Sequence, residues 1–406
     1  MRLRDTGLTA AELKAKIKKY HIETYERMDF VCDTAKGNYL YDENGDAYMD
    51  FYGGVAVNSV GSCNDAVVKA VQEQTAQVMH TFNYPYTVPQ VLLAEKICKA
   101  SGMDKIIYQN SGAEANEAMI KMARKYGAEN FGPNKVEIIT FKASFHGRTG
   151  FAMTATGQPD SAIQKGFGQL PTGFKYAEYN NLDSVKAMID ENTIAVMLEP
   201  VQGEGGVFPA TDEFMKGLRA LCDEKGIFML MDEIQAGWNR CGTFMCYQSY
   251  GVMPDAVSMA KAMGGGMPIA ACAATEKLAS AFNPGAHGST YAGNPVACAA
   301  SNAVFDYMEA NNMGARAKEI GDYFMAELAK MPHVKLVRGR GLFVGVILED
   351  GINAVEVKRT CVKDHLLVTA IGGSIIRMVP PLTVSKEECD ECVRRQSRCI
   401  NVVAGK

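Results

Sequence analysis

Two residues of this 406-residue sequence, an acid and a lysine, occupy positions that are common in enzyme active sites. Asp232 follows the apolar run 227–231, and Lys261 follows a second apolar run, 256–259. A short apolar run bounded by charge is typical of a buried parallel strand, and open α/β sheets bind ligands at the C-terminal ends of such strands. The sequence therefore predicts an acid and an amine at the ligand-binding edge of a sheet.

This pair matches what pyridoxal 5'-phosphate requires from a protein. A carboxylate must keep the pyridine nitrogen protonated so that the ring can act as an electron sink, and a lysine must bind the aldehyde covalently and later move a proton. Asp232 and Lys261 can supply these groups. Small neighbours, Ala260 and Ala262, predict partial desolvation of the lysine, which lowers its pKa. Acidic strand ends and single lysines are common, so this pair alone is weak evidence for a cofactor site, and the surrounding motifs must support it.

Further motifs follow one another along the chain. In order they are GVAVN (54–58), NSGAEAN (110–116), SFHGRT (144–149), EPVQGEG (199–205), DEIQ (232–235), HGST (287–290) and NP (294–295). As a set, over roughly residues 20 to 400, they resemble the class III aminotransferases of fold type I, and within them the acetylornithine branch. The resemblance implies a pyridoxal-phosphate enzyme that takes a small-molecule amino donor and a 2-oxo acid.

The apolar runs between about residues 52 and 290 predict an α/β fold. The predicted strands are 105–109, 136–141, 194–198, 227–231, 256–259 and 269–274. Their alternation with helical segments predicts a mostly parallel sheet covered by helices on both faces. The resemblance implies a sheet of the seven-stranded type in a large cofactor domain, 52–295. It implies a smaller α+β domain made from 1–51 and from 296–406, the latter including an interdomain helix.

Local signals mark several element boundaries outside the predicted sheet. Thr9 and Glu12 form a capping-box pattern that predicts a helix ending near Tyr20. The Asn44-Gly45 pair supports a hairpin between extended pieces. Pro295 suits the first turn of a long helix, and apolar periodicity continues to about residue 331.

Composition indicates a cytoplasmic protein of enzyme size. The formal net charge of −4 gives no reason to expect nucleic acid or an anionic membrane as a partner. No apolar run approaches the length of a spanning helix, about 18 residues, and residues 1–5 lack the apolar core of a signal peptide. The 12 cysteines are scattered, which favours buried thiols over disulfides. His146 and His287 have no neighbours at metal-ligand spacing, so no metal is predicted.

The segment 110–116 follows a predicted strand and opens a predicted helix. Free backbone N–H groups at a helix N-terminus bind anions, so Gly112 and Ala113 are candidates to hold the cofactor phosphate, although a plain strand-to-helix turn would have the same residues. The resemblance also brings Thr290 to the phosphate from the neighbouring subunit. It therefore implies a homodimer with its site at the subunit interface.

The resemblance assigns the other cofactor contacts to two motifs. Phe145 stacks on one face of the ring, Asp232 takes the pyridine nitrogen and Gln235 reaches the phenolic oxygen. Glu233 and Ile234, which lie between the last two, are included among the cofactor-binding residues.

Substrate contacts are implied for two arginines and three other side chains. Arg148 can grip a carboxylate with its planar fork, while Arg377 is implied to pair with Glu204. A movable pair would mask Arg377 for the amino donor and free it for the second carboxylate of glutamate, although both residues could instead form a structural ion pair. Ser289 and Tyr25 are the remaining predicted substrate contacts.

The small residue Gly54 favours an acylated substrate. Ornithine enzymes of the family carry an aromatic near this point, whereas glycine leaves room for an acylated α-amino group. The implied reaction exchanges the δ-amino group of N2-acetylornithine with 2-oxoglutarate. The segments 61–65 and 236–242 depart from the family pattern. Succinylated ornithine or diaminopimelate, free ornithine and 4-aminobutyrate stay open as substrates, and a non-catalytic protein that binds the cofactor is the alternative of another class.

Overall fold

Helices and strands alternate through most of residues 1–405, which are the residues that the computed structural model describes. The α-helices are α1 (Ala10–Tyr20), α2 (Gly53–Ala56), α3 (Asp65–Thr75), α4 (Val88–Ser101), α5 (Gly112–Phe131), α6 (Gly150–Ala155), α7 (Leu182–Lys186), α8 (Asp212–Lys225), α9 (Glu276–Ala279), α10 (Pro295–Ala310), α11 (Met313–Leu328), α12 (Ala354–Lys363) and α13 (Lys386–Ala404). The strands are β1 (Cys32–Lys36), β2 (Tyr39–Asp42), β3 (Ala47–Asp50), β4 (Lys105–Gln109), β5 (Glu137–Phe141), β6 (Phe174–Ala177), β7 (Thr193–Leu198), β8 (Val201–Gln202), β9 (Phe208–Pro209), β10 (Phe228–Asp232), β11 (Ala256–Met259), β12 (Ala270–Ala274), β13 (Val334–Arg340), β14 (Phe343–Leu348), β15 (Leu366–Leu367), β16 (Thr369–Ile371) and β17 (Ile375–Met378).

The central element is a 7-stranded sheet with the strand order β4-β12-β11-β10-β7-β5-β6. Strand β10 pairs in parallel with β7 and β11, and β5 pairs in parallel with β6 and β7. Only β12 runs against its two neighbours. Every residue of β7, β10, β11 and β12 is buried, as expected for strands covered on both faces. The predicted mostly parallel α/β sheet is confirmed.

The apolar runs located most of these strands. Strands β4 and β11 have the predicted bounds, and β5, β7, β10 and β12 differ from prediction by a residue at one or both ends. Strand β6, Phe174–Ala177, was not predicted. It lies at the sheet edge, and three of its four residues are only partly buried. An edge strand covered on one side does not need a continuous apolar run, so its sequence carries a weaker signal.

The chain termini meet in a second, smaller sheet. Its order is β1-β2-β3-β15, so a strand from the C-terminal part pairs in parallel with one from the N-terminal hairpin. Another antiparallel sheet, β13-β14-β17-β16, is made from the C-terminal part alone. This arrangement is consistent with a small domain made from both termini, whereas the domain limits at residues 51 and 295 stay a prediction.

The apolar periodicity after Pro295 belongs to two helices. Helix α10 ends at Ala310, α11 begins at Met313, and between them Asn312 has a left-handed backbone with φ of 46°. Asparagine is among the few residues that adopt this conformation readily. Both helices bury an apolar face, so periodicity alone could not reveal the break.

Most of the cysteines are buried thiols, as predicted. All 12 are free, and those with substantial exposure are Cys32, Cys63 and Cys98. In the described residues, no helix combines the length and the apolar character needed to cross a membrane.

Candidate active site

A cavity of about 470 Å³ opens where β7, β10 and β11 end and α5 begins. This is the edge at which open α/β sheets bind ligands. Its wall includes these sequence-predicted site residues: Gly112, Ala113, Phe145, Arg148, Asp232, Ile234, Gln235 and Lys261. The fold therefore brings together residues that lie far apart in the sequence.

Asp232 is fixed by a network of hydrogen bonds at the end of β10. Its Oδ2 accepts from Asn116 Nδ2 and contacts His146 Nδ1, each at 2.8 Å, while its Oδ1 accepts from the Ile234 N–H at 3.0 Å. Asn116 is oriented in turn by the Ser258 hydroxyl, which donates to its Oδ1 at 2.6 Å. A buried carboxylate with this many partners has one orientation and keeps its remaining lone pairs for the cavity.

Lys261 follows β11 in a strained conformation. Its φ of 49° lies in the left-handed region, an outlier of the kind that often marks functional positions. Burial, reinforced by Arg377, lowers the pKa of the Lys261 amine to about 8, although Glu204 and Asp232 oppose the shift. The predicted desolvation of this lysine is confirmed. A larger fraction of the amine is thus a free nucleophile near neutral pH than for an exposed lysine.

The N-terminus of α5 presents two free backbone donors to the cavity. Ser111 and Glu114 form a capping box: Ser111 Oγ accepts from the Glu114 N–H, and Glu114 Oε2 accepts from the Ser111 N–H. The N–H groups of Gly112 and Ala113 have no partner within residues 1–405. A Cβ at Gly112 would lie 2.9 Å from Ile234, so only glycine fits there. The two amides and the dipole of a 20-residue helix suit an anion.

These groups fit pyridoxal 5'-phosphate. The amides at the start of α5 suit its phosphate, the fixed carboxylate of Asp232 suits its protonated ring nitrogen, and the Lys261 amine suits its aldehyde. The half-buried ring of Phe145 lines the same cavity and can cover one face of the cofactor. The cavity therefore carries a group for each reactive part of the cofactor.

A partly buried ion pair beside the cavity joins the sheet β13-β14-β17-β16 to Gln235 of the cavity wall. Arg377, on β17, pairs through Nη1 with Glu204, 173 positions away, and the same nitrogen donates to Gln235 Oε1 at 3.3 Å. Burial opposes ionisation of Glu204, but Arg377 and Lys261 bring its pKa below the ordinary value. Arg148 is exposed on the cavity wall and has no hydrogen-bond or ion-pair partner in the described residues.

Glu199 is a cavity residue to which the sequence analysis assigned no role, although it is the first residue of the motif 199–205. It follows β7, and its carboxylate accepts from the N–H groups of Phe145 at 2.9 Å and Gly203 at 3.1 Å. Burial raises the pKa of Glu199 to about 7, with His146 opposing and Asp232 adding to the shift. The available signal was an acid directly after an apolar run, the same signal that selected Asp232.

Glu233 faces away from the cavity, which corrects its predicted place among the cofactor contacts. Its two carboxylate oxygens accept from the N–H groups of Cys246 and Tyr247, each at 2.7 Å. Burial raises the pKa of Glu233 to about 8, although the two amides oppose the shift. Successive side chains along a strand point to opposite faces, so only one of the adjacent acids 232 and 233 can reach the cavity.

The predicted contacts Tyr25, Ser289 and Thr290 also do not line this cavity. Thr290 is exposed, and Tyr25 is 76% exposed. Ser289 is near the wall, since its hydroxyl accepts from Asn110 Nδ2 at 2.9 Å. His287 fastens the same segment to the sheet and to α5, with one ring nitrogen 2.9 Å from Gln109 Nε2 and the other 2.9 Å from the Lys121 amine. A single chain does not bring Thr290 or Tyr25 to the candidate site.

Residues of the two segments that depart from the family pattern, 61–65 and 236–242, cap a helix, pack in the core or line the cavity. Asn64 caps α3 by accepting from the Ala66 N–H, and Trp238 is buried in the core. Of the segment 236–242, Ala236 lines the cavity. Gly54 has a φ of 60°, a left-handed backbone conformation that glycine adopts without steric cost. The backbone therefore favours glycine here independently of the predicted room for a substrate.

Comparisons with known proteins agree with this geometry. Residues 20–400 match the family described as aminotransferase class-III. The acetylornithine aminotransferase of Methanocaldococcus jannaschii is 41% identical over 93% of this chain and 94% of its own. That of Clostridium acetobutylicum is 42% identical over 93% and 97%, respectively. Among solved structures, the ornithine aminotransferase of Toxoplasma gondii has a TM-score of 0.94 at 29% identity, covering 99% of this chain and 98% of that one. The acetylornithine aminotransferase of Elizabethkingia anophelis has a TM-score of 0.86 at 28% identity, covering 97% and 100%.

Proposed function

Because the chain belongs to the class III aminotransferases, we propose that it transfers the terminal amino group of N2-acetyl-L-ornithine to 2-oxoglutarate. The products are N-acetyl-L-glutamate 5-semialdehyde and L-glutamate, a step of arginine biosynthesis. The observation that carries the proposal is the single cavity in which Lys261, with its lowered pKa, and the fixed carboxylate of Asp232 both lie. The identity of 41–42% to acetylornithine aminotransferases supports the choice of substrate.

Pyridoxal 5'-phosphate is the cofactor, and when bound it supplies an electron sink for the carbon that loses a proton. Asp232 keeps the ring nitrogen protonated, and its partners His146 and Asn116 keep the carboxylate in place. Lys261 would hold the cofactor through its aldehyde, and its amine would carry the proton that leaves the substrate carbon. Gly112 and Ala113 hold the phosphate through their free N–H groups.

The two arginines divide the recognition of the substrates. Arg148, unpaired at the cavity wall, binds the carboxylate of the acetylated donor. Arg377 is masked by Glu204 while that donor is bound, and it is freed when glutamate or 2-oxoglutarate brings a second carboxylate. One site can then accept two substrates that differ in charge at the reacting carbon.

L-Ornithine is the second candidate substrate. The ornithine aminotransferase of T. gondii has nearly the same fold, with a TM-score of 0.94. Against it stand the higher identity to acetylornithine enzymes and the glycine at position 54, where the ornithine enzymes carry an aromatic. The positive φ of Gly54 favours glycine whatever the substrate is, so this residue does not identify the substrate by itself and an assay is needed.

The test is a panel of amino donors assayed with 2-oxoglutarate. We expect the highest kcat/KM for N2-acetylornithine, against N-succinylornithine, N-succinyl-diaminopimelate, ornithine and 4-aminobutyrate. A preference for an unacylated amine would overturn the substrate assignment. If the protein carries the cofactor but no donor changes its absorbance, it is a binding protein and the enzymatic proposal fails. The Lys261→Ala variant is the inactive control.

We propose further that two copies of the chain complete each site. Thr290 and Tyr25 are exposed in one chain, as expected for residues that act in a neighbouring subunit. Exposed apolar side chains of the surrounding surface are Met79, Phe82, Tyr84, Tyr86, Val88, Val91, Leu92 and Tyr291. Such a concentration is typical of an interface. Sedimentation analysis should give a dimer mass at micromolar concentration, and a monomer that is fully active would contradict the proposal.

The proposed location is the cytoplasm. All 12 cysteines are free, including the exposed Cys32 and Cys63, and free thiols of this kind suit a reducing compartment. Cell fractionation should recover the activity with the cytoplasmic fraction, and recovery from a secreted fraction would contradict this location.

A further inference from the structure

The Glu199 carboxylate joins two loops that form opposite parts of the active site. One loop follows β5 and carries Phe145, whose N–H donates to Glu199 Oε1 at 2.9 Å. The other follows β8 and begins with Gly203, whose N–H donates to Oε2 at 3.1 Å. Glu199 is only 6% exposed, so water cannot readily replace either bond. One buried side chain thus fixes the backbone of both loops.

The second loop carries the residue that masks Arg377. Gly203 directly precedes Glu204, and it packs closely against the side chain that Arg377 also contacts: a Cβ on Gly203 would lie 2.7 Å from Gln235 Nε2. Gln235 accepts from Arg377 through its other amide atom. The position of the Gly203 backbone therefore sets where Glu204 meets Arg377.

We propose that Glu199 is a positioning residue that holds Glu204 against Arg377, and thereby keeps the arginine masked until a second carboxylate arrives. The inference rests on the proposed function, in which masking allows one site to take two kinds of substrate. Glu199 itself does not exchange atoms with the substrate. It acts through the Gly203 N–H on the residue that does the masking.

The ionisation state of Glu199 determines whether its carboxyl group can accept strong hydrogen bonds from both backbone N–H groups. An ionised carboxylate accepts from both N–H groups, whereas a protonated one turns one oxygen into a donor and weakens one of the two bonds. Burial raises the pKa of this carboxyl to about 7. The charged and titratable groups that face it are His146, Asp232 and Lys261, and the Tyr179 hydroxyl donates to its backbone oxygen at 2.7 Å. Above pH 7 both loops are held, and below it the mask loosens.

The experiment measures binding of glutarate to the holoenzyme by calorimetry. Glutarate has two carboxylates but neither an amino nor an oxo group, so it reports the availability of Arg377 without reaction. In Glu199→Gln the side-chain amide has one acceptor oxygen, so it can hold only one of the two N–H groups. Glu204 is then held less firmly against Arg377, and the arginine is more available to glutarate. We expect glutarate to bind about tenfold more tightly, the change in affinity that corresponds to loss of one hydrogen bond to a charged group. Glu204→Gln, which weakens the mask directly, should bind glutarate more tightly still.

The paired variants separate failure of the inference from failure of the proposed function. If Glu204→Gln binds glutarate more tightly but Glu199→Gln does not, Glu199 has no positioning role and the mask still stands. If neither variant changes the affinity, the proposed mask itself is wrong and the inference falls with it. Turnover of N2-acetylornithine by the wild-type enzyme tests the substrate assignment independently of both.

A pH series distinguishes positioning from a general loss of packing. In the wild-type holoenzyme, glutarate affinity should rise severalfold between pH 8 and pH 6, as Glu199 takes up a proton. In Glu199→Gln the rise should be clearly smaller, because Glu199 no longer takes up a proton while Lys261, whose pKa is about 8, still does. A rise in Glu199→Gln equal to that of the wild type would overturn the inference. Thermal unfolding of both proteins at each pH verifies that the folded state is being compared.

Discussion

Two regions of the candidate site differ: the inner wall, which carries Glu199 and Asp232, and the outer rim, which carries Thr290 and Tyr291. A single chain builds the first more completely than the second. At the inner wall, the ends of β7 and β10 hold Glu199 and Asp232 by several hydrogen bonds each, and both are buried. At the rim, the segment after His287 carries Thr290 and Tyr291, which are exposed. The inner wall is therefore built within a single chain, whereas the rim is exposed, as expected under the proposed dimer.

The difference follows from what orders each region. The inner wall lies at the ends of paired strands, whose hydrogen-bond ladder holds the backbone in register. The rim is a connecting segment that is tied down mainly through His287 and Ser289. Substitutions at the inner wall should thus change chemistry within one subunit, and substitutions at the rim should act across the dimer.

The largest effect is expected from removing the inner-wall amine. Lys261→Ala removes both the covalent link to the cofactor and the proton carrier, so kcat should fall by roughly 10⁴-fold or more. Single-turnover assays with N2-acetylornithine measure this, and circular dichroism controls for folding. Activity within tenfold of the wild type would mean that the inner wall does not hold the chemistry.

Two adjacent acids provide the next comparison. Asp232→Asn should lower kcat by roughly 10²–10³-fold, because its neutral amide no longer stabilises a protonated ring nitrogen. Glu233→Gln should leave kcat within a few-fold, because the Glu233 side chain contacts the Cys246 and Tyr247 amides and not the cavity.

Kinetics of the two variants test this pair together. Equal effects of the two variants on kcat would contradict the opposite orientations of these side chains.

A pH dependence is expected from the lowered pKa of Lys261. Only the free amine captures an aldehyde, and its pKa is about 8 instead of the ordinary 10.5. The rate at which the cofactor-free protein captures pyridoxal 5'-phosphate should therefore rise about tenfold per pH unit below 8 and level off above it. Stopped-flow absorbance from pH 6 to 10 measures the midpoint. A midpoint near 10 would mean that the amine is as hydrated as a surface lysine.

The smallest effect is expected at the rim. If Thr290 donates to the phosphate as proposed, Thr290→Ala should weaken cofactor affinity about tenfold, the loss expected for one hydrogen bond to a charged group. Mixing this variant with Lys261→Ala tests which subunit Thr290 serves. If it serves the partner, the mixed dimer contains one site with both residues intact, and half-normal activity returns at low cofactor concentration.

The same mixing experiment has a clear opposite outcome. If Thr290 serves its own subunit, no site in the mixed dimer has both residues, and cofactor titration shows only the weakened affinity. That result would make the rim a part of the single-chain site and would remove the contrast with the inner wall. Two wild-type preparations mixed in the same way provide the control.

Strand positions and the main chemical pair could be predicted from the sequence because their signals are local. Six strands were located to within a residue or so from apolar runs, and Asp232 and Lys261 were selected by their place after such runs. The edge strand β6 and the break at Asn312 were missed, since one lacks a continuous apolar run and the other does not interrupt the periodicity.

By itself, the sequence determined the α/β class, the elements and the residues able to do chemistry, because helix and strand periods and motif spacing are properties of neighbouring residues. Only the tertiary structure decided that Asp232 and Glu199 face the cavity while Glu233 does not. The contact between Arg377 and Glu204, which lie 173 positions apart, was implied by the family resemblance, and the tertiary structure shows it. The direction of a side chain at a strand end depends on the pairing of that strand and on what packs against it, and these contacts come from distant parts of the chain.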